Sequence, residues 1–209
     1  MMDVGARRLY LVAPARLAAG ALADLVGELV DAGVDLLQLR EKDMEGGELL
    51  RVGEPIAAAC RSRRVPFIVN DRPDVALALG ADGVHVGQND LPVSVARRVL
   101  GDAIVGLSTH APHEVDAAPA QAPDYIAVGP VHETPTKPGR PAAGLDLVRY
   151  AAAHAGVPWF AIGGIDENTL GSVLDAGARR VVIVRAITEA ASPPEAAAEL
   201  RARLDELPA

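Results

Sequence analysis

Eight short runs rich in β-branched and aliphatic residues recur along the chain: RLYLVA (8–13), LLQLR (36–40), VPFIVN (65–70), GVHVG (83–87), AIVGLST (103–109), YIAVGP (125–130), WFAIGG (159–164) and VVIVRA (181–186). Each reads as a strand, and the segments between them carry apolar residues at helical spacing. Leu22, Leu25, Val26, Leu29 and Val30 mark such a stripe before the second run, with Gly33 placed to end the helix. The last helix opens with Ser192 as N-cap, Pro193 in the first turn and Glu195 as capping-box acid, ahead of Leu200 and Leu204. Strands alternating with helices imply right-handed parallel crossovers. Eight such units fit a closed (β/α)8 TIM barrel better than an open doubly wound sheet. The chain has 209 residues; a typical barrel has ~250, so little decoration is expected. No linker or low-complexity segment divides it, which predicts one domain over residues 1–209.

The pattern breaks at the ends of the runs. LLQLREKD (36–43) passes from buried strand to charge with no turn residue between. Alternate side chains of a strand share a face, so Gln38, Arg40 and Lys42 point one way and Leu37, Leu39 and Glu41 the other. The same change recurs after the other runs: Asn70 and Asp71, then Gln88, Asn89 and Asp90, then Ser108, Thr109 and His110, then Thr134, Thr136 and Lys137, then Gly163 and Gly164, and last Arg185 at the end of the eighth strand. Barrels carry their chemistry at the C-terminal ends of the strands and in the loops that follow. The face bearing Gln38, Arg40 and Lys42 is therefore predicted to be the inner one. The longest gap holds GPVHETPTKPGRPAAG (129–144), whose four prolines and three glycines make it a loop rather than a helix, and a candidate lid.

Composition narrows the choices. Half of the residues are hydrophobic but only 3% are aromatic, so the core is expected to be built from Ala, Val, Leu and Ile. A net charge of −8 argues against a nucleic-acid partner or an acidic membrane surface. It leaves room for a small anion held by a few local cations. The single cysteine, Cys60, excludes an internal disulfide and reads as packing. No apolar run is long enough to span a bilayer and no signal peptide is evident. A cytoplasmic protein is the expectation; whether it forms a homo-oligomer stays open.

Several polar residues carry two readings. Asp71 and Asp90 each precede a proline-containing helix start and could serve as caps. Adjacent strands would also bring them together as carboxylate ligands of Mg2+. Gly163 and Gly164 could form only a tight turn, or let backbone N–H groups approach a phosphate. His85 reads as a packed core histidine. Glu41, on the outer face, reads as structural.

In order and approximate spacing, QLREKD, NDR, ADGVHVGQNDLP, GLSTH, TPTKPG and AIGGI resemble thiamine-phosphate synthases, from about Leu9 to Ile187. The resemblance implies that 4-amino-2-methyl-5-hydroxymethylpyrimidine diphosphate is joined to a thiazole phosphate, often a carboxylated tautomer, giving thiamine monophosphate and pyrophosphate with Mg2+ as cofactor. It further implies that Gln38, Leu39, Arg40, Glu41, Lys42 and Asn70 hold the pyrimidine diphosphate. Asp71 and Asp90 would bind Mg2+, with Ser108 and Lys137 on the diphosphate. Arg40, Lys42, Ser108 and Lys137 would act on the leaving group. Thr134, Pro135, Thr136, Gly164, Val184 and Arg185 would receive the thiazole phosphate. The family pattern has a serine at the position of Arg185, so the contact there is an open question. Two rivals remain: a thiazole tautomerase on the same barrel, which needs neither the carboxylates nor the diphosphate lysines, and a non-catalytic phosphate-binding barrel.

Overall fold

A computed structural model describes residues 4–133 and 141–207 of the chain. Its eight barrel strands are β1 (Leu9–Ala13), β2 (Leu36–Leu39), β3 (Phe67–Asn70), β4 (Gly83–Val86), β5 (Ile104–Thr109), β6 (Tyr125–Val128), β7 (Trp159–Ile162) and β8 (Val181–Ile183). Neighbours in sequence pair in parallel, and β1 pairs with β8 to close the barrel. The helices are α1 (Leu22–Asp31), α2 (Gly46–Arg63), α3 (Pro73–Leu79), α4 (Val93–Leu100), α5 (Pro112–Gln121), α6 (Gly144–His154), α7 (Leu170–Asp175), α8 (Arg185–Thr188) and α9 (Pro193–Asp205). All eight predicted runs are strands, each trimmed where its end becomes loop. Among the described residues, no helix is long and apolar enough to cross a membrane.

Each strand is buried on both faces, which is why the runs read as continuous rather than alternating. Outward residues such as Leu11, Leu37, Leu39, Val69 and Val105 pack under the helices in one aliphatic layer. Inward residues build a second core inside the barrel. There the expectation of an aliphatic core fails: Tyr10, Tyr125 and Phe160 fill the centre, with ring centroids 5.4–5.8 Å apart and edge-on geometry. A closed eight-stranded barrel leaves a space that only large side chains fill. The rings need Gly106, where a Cβ would lie 2.2 Å from the Tyr125 ring and 2.5 Å from His85 Nδ1. Val4 closes the same core from below.

The N-terminal rim carries a device the strand pattern did not announce. Asp35, Asp82 and Asp124 each stand one residue before an even-numbered strand, and each accepts a backbone N–H from the start of the preceding strand. The bonds are Leu9 N to Asp35 Oδ1 at 3.1 Å, Phe67 N to Asp82 Oδ2 at 2.8 Å and Val105 N to Asp124 Oδ2 at 2.7 Å. Arg201 and Arg97 pair with two of them, at 2.9 Å on Asp35 and 2.7 Å on Asp124. These carboxylates lock strand pairs at the end of the barrel devoted to stability.

Two helix ends are informative. Gly33 takes the positive φ of 103° that closes α1, as its position predicts. Ser192 is the N-cap of α9, but its hydroxyl makes no capping bond, so the expected capping box is not formed. Arg185 departs from expectation too. β8 stops at Ile183, and Arg185 opens the short α8 instead of ending the strand.

Candidate active site

The C-terminal mouth of the barrel gathers most of the predicted polar residues. Lateral register places Asn70 beside His85, and His85 beside Gly106, one strand after another. A pocket of about 70 Å3 there is lined by Gln38, Arg40, Lys42, Asn70, Asp71, Asp90 and Ser108, together with Tyr10 and His85. Gln38, Arg40 and Lys42 therefore do face inward. Leu39 and Glu41 do not join them. The Leu39 side chain is buried under the helices, and Glu41 Oε1 accepts the backbone N–H of Ala15 at 2.7 Å, tying down the loop after β1. Their part in any ligand site is limited to the backbone, because strand alternation turns them outward.

Neither aspartate is a helix cap. The N-caps are Arg72 and Pro92, without side-chain capping bonds. Asp71 is held in the left-handed region at φ 59°, its N–H bonded to His85 O at 2.9 Å. Aspartate is one of the few non-glycine residues that adopt this region readily. Asp90 reaches the site because Gly87 has no side chain: Gly87 N donates to Asp90 Oδ2 at 2.8 Å, where a Cβ would come equally close. Burial, then contact with Asp90, pushes the Asp71 carboxyl above the ordinary aspartate range, and Lys42 and Asn70 pull it back only in part. Lys42 Nζ lies 3.5 Å from Asp71 Oδ2. Burial also works against the charge of Arg40, which Asp71 restores first among nearby carboxylates.

Two carboxylates crowded at a partly desolvated spot make a place for a cation. Among the described residues, no cluster of three or more His, Cys, Asp or Glu could enclose a metal. A pair of carboxylates that leaves other positions to water and phosphate oxygens is how proteins hold Mg2+. The residues present fit that ion.

Next to this pocket lies a larger cavity of about 610 Å3, lined by Gly163, Gly164, Val184 and Arg185. The two spaces share Ile162, Val182 and Val184 as a common wall. Gly163 and Gly164 have φ of 106° and 63°, and a Cβ on either would lie 2.6 Å from Pro130 or His132. They are glycines because the chain after β6 runs directly over them. Arg185 lines the cavity and sits 3.8 Å from Glu189, one turn along α8. It is at once part of the cavity wall and half of an ion pair. Thr134, Pro135, Thr136 and Lys137 lie outside the described residues.

Three polar side chains beneath the small pocket were not singled out as site candidates by the sequence. His85 is buried, as a core histidine should be, but its Nε2 lies 2.9 Å from Ser108 Oγ and its Nδ1 3.1 Å from Tyr125 OH. Tyr125 OH is 2.8 Å from Tyr10 OH, which accepts a hydrogen bond from Gln38 Nε2. The available signal was alternation: Tyr10, His85 and Tyr125 occupy inward positions of their strands.

The thiamine monophosphate synthase family model matches residues 9–187. A thiamine-phosphate synthase of Acidothermus cellulolyticus is 54% identical over 200 residues, covering 94% of this chain and 94% of its own. One from Thermus thermophilus is 53% identical, covering 94% and 97% respectively. Among solved structures, the thiamine phosphate pyrophosphorylase of Pyrococcus furiosus superposes with a TM-score of 0.86 at 30% identity, over 95% of this chain and 96% of its own. The aspartate pair, the cationic strand end and the glycine-lined cavity thus stand on a (β/α)8 barrel whose chain belongs to the thiamine monophosphate synthase family of transferases.

Proposed function

We propose that this enzyme joins 4-amino-2-methyl-5-hydroxymethylpyrimidine diphosphate to a thiazole phosphate, releasing pyrophosphate and forming thiamine monophosphate, with Mg2+ on Asp71 and Asp90. One observation carries the reading: a small pocket ringed by Arg40, Lys42, Asp71, Asp90 and Ser108 shares a wall with a glycine-lined cavity at the same mouth. Two phosphate-bearing substrates that must react with each other need such adjacency, since holding them together replaces a bimolecular encounter.

In this reading the pyrimidine lies over Gln38 and Asn70, its diphosphate toward Arg40, Lys42 and Ser108. The C–O bond breaks with its electron pair leaving on pyrophosphate, and the aminopyrimidine spreads the positive charge left on its methylene carbon. Arg40 and Lys42 are preorganised cations where negative charge accumulates, which lowers the barrier electrostatically. When bound, Mg2+ supplies further charge neutralisation on the diphosphate oxygens. The thiazole nitrogen then donates its lone pair to form the C–N bond. Backbone N–H groups near Gly164, together with Arg185, hold the thiazole phosphate, as arginine does well. Lys137 and the segment from Thr134 to Thr136 take their roles from the family resemblance. No protein nucleophile is required. We also infer a cytoplasmic setting, in keeping with a lone cysteine that is free and buried.

The test is incubation with both substrates and Mg2+, following thiamine monophosphate and pyrophosphate together. Their appearance in equal amounts supports the reading. Conversion of the thiazole alone, without consumption of the pyrimidine diphosphate, would point to the tautomerase instead.

A further inference from the structure

Five side chains from five strands form one buried line across the barrel: Gln38, Tyr10, Tyr125, His85 and Ser108. Its two ends are residues that the proposed reaction places on the pyrimidine and on the diphosphate. The middle three have no role in that account. Burial pushes both phenols well above the ordinary tyrosine range, so each keeps one proton to donate.

With His85 neutral, a line of this kind has only two self-consistent directions, because the imidazole and every hydroxyl in it have a single proton each. Here Gln38 Nε2 donates to Tyr10. The Tyr10 proton must then go to Tyr125, and the Tyr125 proton to His85 Nδ1. His85 is left as the neutral tautomer with its proton on Nε2, donating to Ser108 Oγ. With Gln38 donating to Tyr10, a second ring proton would set two donors against each other further along. With one lone pair filled by His85, the Ser108 hydroxyl turns its own proton elsewhere, and Ser108 lines the small pocket. At the far end the Gln38 carbonyl oxygen has no partner among the described residues. Reversing every bond would flip the amide, show its NH2 to the pocket and leave Ser108 only an acceptor.

We propose that Tyr10, Tyr125 and His85 are positioning residues that couple the two ends, so that a diphosphate demanding a donor at Ser108 fixes Gln38 with its carbonyl toward the pyrimidine. This rests on the reaction proposed above. A carbonyl oxygen accepts from the exocyclic amine of an aminopyrimidine. It opposes the carbonyl of a 4-oxopyrimidine, oxygen against oxygen. The line therefore sets specificity for the amino substrate from the opposite side of the barrel.

The experiment compares kcat/KM for the 4-amino and 4-oxo pyrimidine diphosphates in the wild type, Tyr125→Phe and Tyr10→Phe, with a melting curve for each. The intrinsic reactivity difference between the substrates cancels when the ratios are compared across variants. Each phenylalanine keeps its ring and breaks the line at a different link, so the amino/oxo ratio should fall about tenfold in both, the scale of one oriented hydrogen bond. If Tyr125→Phe does not fold, Tyr10→Phe decides alone. Nitrogen-15 spectra of the wild type with Mg2+ and inorganic pyrophosphate should show His85 neutral with its proton on Nε2. A folded variant with the wild-type ratio, or a proton on Nδ1, overturns the coupling while leaving the reaction in place. A wild type that makes no thiamine monophosphate overturns the reaction itself, and the specificity argument with it.

Discussion

Asp71→Asn removes one charge from the carboxylate pair while keeping the shape. Asparagine tolerates the left-handed backbone at φ 59° as well as aspartate does. Without metal, the loss of attraction to Lys42 at 3.5 Å is worth about 1 kcal/mol in water. With the two side chains 51% and 24% exposed, the lower end of that scale applies. The repulsion from Asp90 disappears at the same time, so the metal-free variant should melt within about 2–4 °C of the wild type, the shift for ~1 kcal/mol in a chain of this size.

With Mg2+ and inorganic pyrophosphate at a hundred times their dissociation constant, the wild type gains ~2.7 kcal/mol, a rise of about 5–10 °C. A tenfold loss of affinity in the variant removes about half of that gain, ~1.3 kcal/mol or about 3–5 °C. The sign of the pH dependence follows from the raised Asp71 carboxyl. Folding favours its protonated form, so that contribution is full below the unfolded value and lost as pH rises through the folded one. The proton competes with the metal, and the Mg2+-induced rise should shrink on acidification before ordinary aspartates titrate. The assay is a set of melting curves with and without Mg2+, beside steady-state kinetics. An Asp71→Asn protein with the same Mg2+-induced rise, or full turnover in excess chelator, would refute the assignment.

Arg185→Ser should raise the KM for the thiazole phosphate and leave that for the pyrimidine diphosphate alone; unchanged kinetics would reduce the arginine to its ion pair with Glu189. Lys137→Ala should lower kcat by ~10²-fold or more, the usual scale for one preorganised charge, with little change in melting; a variant that melts early in proportion to its lost activity would make the lysine structural. Asp124→Ala strips an acceptor from Val105 N and a partner from Arg97, and should cost about 1–3 kcal/mol with kcat at room temperature unchanged; equal loss of activity in the folded protein would contradict a purely structural role. Burial pushes the Cys60 thiol up to about 12, so a thiol reagent at neutral pH should label it only on unfolding; rapid labelling of native protein would refute its burial.

The architecture was readable because it rests on repetition. Eight apolar runs leave few alternatives once parallel crossovers are assumed, and the change from apolar to polar at each run's end located the rim where the polar side chains gather. Alternation also told the faces apart, turning Gln38 and Arg40 inward and Leu39 and Glu41 away, where the resemblance alone puts all four on the ligand. What periodicity could not reach was where the backbone turns and which distant side chains meet. Arg185 was misplaced because Val184 and Arg185 continue the composition of a strand while the backbone has already turned into α8. The tyrosines of the barrel centre drew no separate reading, because aromatics make up only 3% of the chain. Their hydroxyls become informative only when the closed barrel brings β1, β2, β4, β5 and β6 within reach of one another.

The two rims use aspartate in opposite ways, and the contrast explains how one small barrel is both stable and reactive. At the bottom, Asp35 and Asp124 each accept backbone N–H groups and face an arginine, so their charge is spent inside the fold. At the top, Asp71 and Asp90 face each other, and within that cluster Lys42 is the cation that pairs with Asp71. Backbone donors are short there by geometry: at the C-terminal ends of parallel strands it is carbonyl oxygens, not N–H groups, that point outward. The strands themselves offer a carboxylate at that rim no donor, and the N–H that Asp90 accepts comes from Gly87, just past the end of β4. At the other rim the strand N–H groups satisfy the same side chain as soon as the strands pair. Strand polarity therefore helps set identical residues apart, bonded to strand N–H groups at one end and grouped around a cationic side chain at the other.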